Sequence, residues 1–351
     1  MLTITGISKH QYYYQPTGKR PGRKPTTSTK RQVGQAIVEE SNAQVIEKVK
    51  QIQSDPDTDG GYRKMYYELM TSGYFINHKK VYRLMNENNL LKERHKKKEK
   101  TYAKYRIVTP GGPLEVLEMD IKYIWVAQAR RHAYILTIID TFTRVVLHWQ
   151  VGFTMKSQQV KDAWDSVIVN HLQPADTLGK GIHVEIRNDN GPQFASKVIQ
   201  GFFKENYLNQ VFTHPYTPQE NGHIESFHSI LSKALGGKPF WDLAELEARL
   251  KVFYYKYNNT RVHGSVAFLA PRLFWKLWEE GKIERKMLDN KKVRFKLKIP
   301  YQQLSGNGYL REVPCLNNQA LDVPDYLSKE AVRPETPQTT IGTTEPSVVP
   351  C

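Results

Sequence analysis

The run EVLEMDIKYIWV (115–126) decides the fold, because two further apolar runs of the same type follow it at short intervals. Residues 131–140 and 143–151 are also rich in Val, Ile, Tyr, Trp and Thr, and turn residues separate the three runs. β-Branched and aromatic side chains in runs of this length predict strands, and short connections predict that neighbouring strands pair as a meander. The sequence therefore predicts a sheet that begins near residue 115.

Helices and short strands alternate after this meander. Apolar residues recur there at helical spacing between shorter β-branched runs. Strands first and alternation afterwards predict an α/β fold, a mixed five-stranded sheet flanked by helices. The predicted elements are a helix around Val160 to Ile168, a strand at 182–187, a helix at 195–207, a strand at 210–213, a helix from about Gln219 and a helix from Leu243 to Tyr257.

A small all-α domain is predicted upstream, at residues 41–91. Its first helix begins at Asn42 and stops at Asp55, its second centres on Met65 to Met70, and its third follows Asn77 as the N-cap. This order predicts a helix-turn-helix domain, and the motif alone leaves open whether its basic face contacts DNA or is simply solvated; the net charge and the family resemblance described below favour DNA binding. The third helix is expected to turn five side chains toward DNA, namely His78, Lys79, Tyr82, Arg83 and Asn86.

The charge balance indicates a polyanionic partner. The chain has 51 Lys and Arg against 35 Asp and Glu, a net charge of +16. Two segments are strongly basic: residues 1–40, which we expect to form a flexible arm, and the linker at 92–110. The linker is expected to bind phosphates without reading sequence, whereas the arm is either an extended segment in an A·T-rich minor groove or simply a flexible tail. Candidate contacts are Arg20 and Arg23 in the arm and Lys96, Lys97 and Lys98 in the linker.

Several classes of protein are excluded by the sequence. No apolar stretch approaches the roughly 20 residues of a membrane-spanning helix, so no membrane partner is expected. Two cysteines, Cys315 and Cys351, cannot build a disulfide framework, which predicts a cytoplasmic location. We expect the core domain at 111–278, a C-terminal extension at 279–328 with a small β segment and a hairpin near 291–313, and a disordered tail at 329–351.

Three acidic residues on separate predicted elements are candidates for one site. Asp120 alternates with apolar residues on the more polar face of a strand, Asp189 follows a strand, and Glu225 falls in the first turns of a helix. Carboxylates that converge at a sheet edge repel one another unless cations neutralise them, and oxygen ligands suit Mg²⁺ or Mn²⁺. The residues alone leave a metal site and an ordinary scatter of acids about equally open.

Several motifs resemble the DDE transposases and retroviral integrases, which share an RNase H-like core. LEMDIKYI (117–124), IRNDNGPQF (186–194) and HPYTPQENGHIES (214–226) are similar to the segments around that family's three acidic residues. GYRKMYYELMTSGYFINHKKVYRLMNENNLL (61–91) and YNNTRVHGSVAFLAPRLFW (257–275) resemble the segments that precede and close the core in transposases of bacterial insertion sequences with a split reading frame.

The resemblance implies a function. Asp120, Asp189 and Glu225 would be the catalytic and metal-binding triad, with two Mg²⁺ ions expected and Mn²⁺ as a substitute. The implied chemistry is cleavage at the ends of a mobile DNA element and attack of the freed 3′-OH on target DNA. The implied partners are element ends, target DNA, further copies of the chain on DNA and an upstream-frame DNA-binding subunit, on the bacterial nucleoid.

The family pattern is not matched everywhere. Many relatives carry a lysine four or seven residues after the glutamate, where this chain has Ser229 and Ser232, and Lys233 is offset by one. His214, His223 and His228 flank the glutamate and are expected to orient phosphate or pack rather than bind metal. Trp241, Trp275 and Trp278 are expected to be core residues.

Two other functions stay open from the sequence. One is a non-catalytic DNA-binding regulator or decayed transposase remnant, and the other is an RNase H-like nuclease. The presence of all three acids argues against decay, and the basic helix-turn-helix segment argues against a nuclease of RNA:DNA hybrids.

Overall fold

The computed structural model describes residues 6, 8–14, 24–57, 60–92, 109–213, 221–237, 239–288 and 293–306. Some predicted features lie outside these ranges. They are the arm residues Arg20 and Arg23, the linker residues Lys96, Lys97 and Lys98, the segment that contains His214, both cysteines and the predicted tail at 329–351.

The N-terminal part contains the three predicted helices and a small sheet. Side chains cap two of the helices: the Ser41 hydroxyl accepts the Gln44 N–H, and Asn77 Oδ1 accepts the Lys80 N–H at 2.8 Å. The apolar faces of all three helices pack together in one buried cluster. The elements are α1 (Lys9–Tyr13), β1 (Ser28–Val33), β2 (Ala36–Ser41), α2 (Asn42–Gln53), α3 (Tyr62–Thr71), β3 (Tyr74–Phe75) and α4 (His78–Glu87).

Residues 28–41 form a β-hairpin, so the prediction of a flexible arm is wrong for these positions. Gly34, with φ of 62°, lies in the turn between β1 and β2. β3 pairs with β1 and completes a three-stranded sheet in the order β2-β1-β3. Glu40 accepts hydrogen bonds from Arg31 at 2.9 Å and from the Tyr74 hydroxyl at 2.6 Å. The sequence analysis did not predict this sheet, because its third strand, β3, comes from a distant part of the sequence.

The core contains the predicted mixed five-stranded sheet, and its strand order is β6-β5-β4-β7-β8. β4, β5 and β6 form an antiparallel meander, and β7 and β8 run parallel to β4. α5 continues into a π-helical turn at Ile168–Leu172. The elements are β4 (Val116–Val126), β5 (Arg131–Asp140), β6 (Val146–Gly152), α5 (Ser157–Val167), β7 (Glu185–Asn188), α6 (Lys197–Glu205), β8 (Asn209–Phe212), α7 (Gly222–Ala234) and α8 (Leu243–Asn259).

Each face of this sheet packs against its own pair of helices. Leu117, Met119 and Ile121 of β4 share one buried cluster with residues of α5 and α6. The other face, which includes Val126, packs against α7 and α8. This second layer brings α7, the helix that carries Glu225, directly against the meander.

The C-terminal part adds α9 (Pro271–Glu279), β9 (Ile283–Met287), β10 (Val293–Leu297) and α10 (Gln303–Gly306). β9 and β10 pair antiparallel and residues 303–306 are helical, so the predicted hairpin position of 291–313 is wrong over the described residues, although a β segment is present. Ile283 and Leu297 are register partners, and both are buried in one cluster with Phe274 of α9. Packing against α9 therefore decides where the hairpin lies.

An ionic contact joins the turn after α2 to helix α8. Asp57 is 3% exposed, and its carboxylate pairs with Arg249 at 2.5 and 3.1 Å. Lys256 pairs with Asp55 at 2.8 Å, and Arg261 donates to the Asp57 carbonyl. These contacts hold the N-terminal helices against the core.

Candidate active site

Asp120 lies near the middle of β4, with its side chain 28% exposed. Its Oδ1 accepts the N–H of Ile121 at 2.7 Å, and its Oδ2 lies 3.3 Å from Nδ1 of His228 on α7. Glu118, two residues earlier on the same face, is fully buried. The face of β4 that carries Asp120 was expected to be the more polar one. Because α7 covers this face at Glu118, only part of it is open to solvent.

Asp189 follows β7, the strand that pairs with β4 up to Glu118. Its Oδ1 accepts the N–H of Gly191 at 3.0 Å. Partial burial raises the pKa of Asp189 and the negative charge of nearby Asp120 raises it further, whereas the Gly191 N–H lowers it. The two predicted carboxylates are therefore close enough to repel each other.

Glu225 is exposed in the first turn of α7. His228, which contacts Asp120, lies three residues later, so the two side chains lie on neighbouring positions of one helix face. The helix thus connects the strand of Asp120 to the residue predicted as the third acid. Ser229 and Lys233 are exposed further along α7, and Ser232 donates to the His228 carbonyl at 2.7 Å.

Glu118 is the residue of this site that the sequence analysis missed. Its Oε2 accepts the N–H of Ile224 at 2.7 Å, at the start of α7. Burial raises the pKa of Glu118 to about 7, although this N–H and the charges of Arg144 and Arg187 oppose the rise. Glu118 therefore fixes the first turn of the helix that carries Glu225 to the strand that carries Asp120.

His223 has no role that depends on a positive charge. Burial lowers its pKa to about 3, and the positive charges of Arg144 and Arg187 lower it further. The ring is therefore neutral at physiological pH, which agrees with the expected packing role. No sequence signal distinguishes His223 from the exposed histidines, because its burial depends on the contact between α7 and the sheet.

Two of the three predicted metal ligands have the chemistry that a divalent cation requires. Asp120 and Asp189 supply carboxylate oxygens in proximity, which fits a hard cation that would relieve their repulsion. Over the described residues, however, no three His, Cys, Asp or Glu side chains stand in a geometry that could hold a metal ion. The two aspartates therefore fit a cation, whereas a place for the exposed Glu225 in the same ligand set stays a prediction.

Comparisons with known proteins cover both parts of the chain. Models of the integrase core domain match residues 110–218 and 206–271, and a model of the HTH-like domain matches residues 40–98. The putative transposase InsK for insertion sequence element IS150 of Escherichia coli is 24% identical over 241 residues, which cover 65% of this chain and 82% of that protein. The chain belongs to the insertion-sequence transposases of the retroviral integrase superfamily.

Two other proteins are similar to parts of the chain. The uncharacterized 39.2 kDa protein of insertion element IS476 from Xanthomonas euvesicatoria is 27% identical over 216 residues, which cover 61% of this chain and 60% of that protein. The catalytic core domain of BIV integrase, a solved structure, shows 22% identity, covers 48% of this chain and 98% of its own, and has a TM-score of 0.34.

The residues of α4 that are predicted to contact DNA are mostly exposed. Arg83 is half-buried, lies 3.6 Å from Glu87 and donates to the Thr26 carbonyl at 3.4 Å. Tyr82 packs edge to face on Tyr62 with ring centroids 5.1 Å apart. The helix presents a polar face, and its contact with DNA stays a prediction. The exposed members are His78, Lys79, Tyr82 and Asn86.

The three tryptophans expected in the core differ in burial. Trp275 and Trp278 are partly buried against apolar clusters. Trp241 is 64% exposed, so its assignment to the core is wrong. It lies before α8, and its carbonyl accepts the Gln128 N–H at 2.8 Å. The backbone of Trp241 thus contacts the β4–β5 turn while its ring stays in solvent. Over the described part of the chain, no helix has the length and apolar character needed to cross a membrane.

Proposed function

We propose that this chain is a transposase that binds the ends of its element and catalyses Mg²⁺-dependent DNA cleavage and 3′-OH strand transfer into target DNA. The observation that carries the proposal is the proximity of Asp120 and Asp189 on an RNase H-like sheet, with the Glu225 helix in contact with Asp120 through His228. The integrase core and HTH-like matches support it. The proposed location is the bacterial cytoplasm, on DNA.

Asp120, Asp189 and Glu225 would hold two Mg²⁺ ions, with Mn²⁺ as a substitute. When bound, such ions activate an attacking oxygen and stabilise the leaving oxygen in an in-line phosphoryl transfer. The chain's own contribution is positioning and charge. Glu118 and His228 join α7 to β4 and so fix the position of the helix that carries Glu225 relative to the strand that carries Asp120. The arm and linker residues and Lys233 would bind DNA phosphates.

The proposed partners are element ends, target DNA, further copies of this chain and an upstream-frame DNA-binding subunit. The HTH-like match supports the DNA partner. The net charge of +16 supports phosphate binding that weakens with salt.

The experiment is cleavage and joining of a labelled DNA that carries the element's ends, with Mg²⁺, for the wild type and Asp189→Asn. Asp162→Asn is the matched control, because Asp162 is an exposed aspartate on α5, remote from β4's polar face. We expect wild type and Asp162→Asn to release 3′-OH ends and form joined products, and Asp189→Asn to bind without reacting. Binding by all three proteins without reaction, even with the upstream-frame product added, would favour the non-catalytic regulator instead.

A further inference from the structure

Lys122 shares one face of β4 with Asp120. Side chains alternate along a strand, so residues two positions apart lie on the same face. The register partners of Asp120 and Lys122 on β5 are Thr137 and Ile135. Ile135 is fully buried in the cluster that β4 and β5 form with α7 and α8, so the shared face is the one on which α7 packs. Lys122 therefore follows Asp120 on this face, about 7 Å further along β4.

One edge of β4 is open beside Lys122. β7 pairs with this edge only as far as Glu118, and the next described backbone pairing there is the bridge between Val126 and Phe240. The gap from Glu118 to Val126 is eight positions, or about 26 Å of strand. Lys122 lies at the middle of this gap, and Asp189, which follows β7, lies at one end of it. A DNA strand whose phosphodiester lies at the two aspartates therefore has room to continue past Lys122.

The Lys122 ammonium forms no hydrogen bond or ion pair with any residue that the structure describes. Its side chain is half-buried, and it stands beside two carboxylates that repel each other, those of Asp120 and Asp189. An ammonium group has three hydrogen-bond donors and no acceptor. All three donors are therefore available to an anion from outside the described chain.

Helix α7 offers its first Lys or Arg side chain at a greater distance from its own acid. Ser229 and Ser232 are exposed one and two turns after Glu225, and Lys233 comes eight residues after Glu225. Eight residues of helix span about 12 Å along the axis, whereas Lys122 is about 7 Å from Asp120 along β4. Lys122 is thus the better placed of the two lysines to bind a phosphate beside the carboxylates.

We propose that Lys122 binds a backbone phosphate of the DNA end next to the phosphodiester at Asp120 and Asp189, and so positions that end for cleavage. The proposal rests on the proposed function and adds a positioning residue to it. A lysine ammonium binds phosphate as a point charge and does not read the base. The contact therefore contributes register on the DNA and salt-dependent affinity, but no sequence recognition.

The test combines Lys122→Met with neutral methylphosphonates placed singly at the phosphates on either side of the cleavage site. Binding of the full-length chain to each labelled DNA end is measured without divalent metal. For the wild type, we expect the methylphosphonate at the contacted phosphate to weaken binding about tenfold. The same methylphosphonate should not weaken binding by Lys122→Met further, because that charge pair is already lost. Lys122→Met should also reduce the slope of log affinity against log salt by about 0.9, and Lys122→Arg should preserve the wild-type pattern.

The matched control is Lys204→Met, because Lys204 is an exposed lysine on α6, which packs on the opposite face of the sheet. Circular dichroism and urea unfolding first establish that the variants fold. Additive losses from Lys122→Met and the methylphosphonate at every position would overturn the phosphate contact, and so would an equal loss of salt slope in Lys204→Met. Cleavage by the wild type with Mg²⁺ separates the two proposals. Normal cleavage without a coupled phosphate removes only the role of Lys122, whereas a coupled phosphate without any cleavage supports the contact and contradicts the proposed function.

Discussion

Asp57→Asn is expected to lower the free energy of unfolding by about 2 kcal/mol. Removing one partner of a fully buried ion pair costs about 3–5 kcal/mol, because the remaining charge is left without compensation. Here Arg249 is 24% exposed and keeps a hydrogen bond to the Ala234 carbonyl at 2.9 Å, so part of its charge stays solvated. Asparagine also retains one acceptor oxygen for Arg249. Both effects place the expected loss of unfolding free energy below the cost of breaking a fully buried ion pair.

The assay is urea unfolding of the wild type and the variant at moderate and high salt. Glu247→Gln is the matched control, because Glu247 and Lys251 form a pair at 2.9 Å in which both side chains are 44% exposed. Exposed pairs contribute about 0–1 kcal/mol and are screened by salt, whereas a buried pair is screened much less. A loss for Asp57→Asn within about 0.5 kcal/mol of the Glu247→Gln value, or one that vanishes at high salt, would refute the buried ionic contact.

Three further outcomes follow from buried groups. Glu118→Ala should lower the unfolding free energy, measured in urea, by about 2 kcal/mol and should slow DNA cleavage, because the Ile224 N–H loses its acceptor. Glu118→Gln should preserve both the stability and the cleavage rate, and equal effects of the two variants would contradict the positioning role. Burial lowers the pKa of His171 to about 4. The contribution of the buried neutral ring to folding stability is therefore complete above pH 6.5 and is lost as the pH falls toward 4. His171→Gln should therefore reduce the loss of stability between pH 7 and pH 4.5 by about 2 kcal/mol, and an unchanged pH profile would disprove this. Leu231→Ala, at a fully buried position of α7, should cost about 3 kcal/mol in the same assay, and a loss below about 1 kcal/mol would show that α7 packs loosely.

Local sequence patterns predicted much of the fold. The alternation in 115–126 and the two runs after it predicted the meander within a few residues of its observed bounds. Asn77 predicted its helix start because a cap depends only on residues within one turn. Contacts between distant segments were not predictable in this way. The hairpin at 28–41 depends on β3, and the position of the hairpin at 283–297 depends on packing against α9.

The candidate site also has one part that local sequence predicted and another that depends on contacts between distant segments. The sequence by itself determined the acidic candidates Asp120 and Asp189, because each stands in a motif with a recognisable strand beside it. Only the tertiary structure decided that Glu118 is buried against the start of α7 and that His228 contacts Asp120. Those pairs lie about a hundred residues apart in sequence, and no local periodicity encodes which helix face meets which strand. The physical reason is that burial and side-chain pairing follow from packing between layers, whereas strand and helix formation follow from neighbours along the chain.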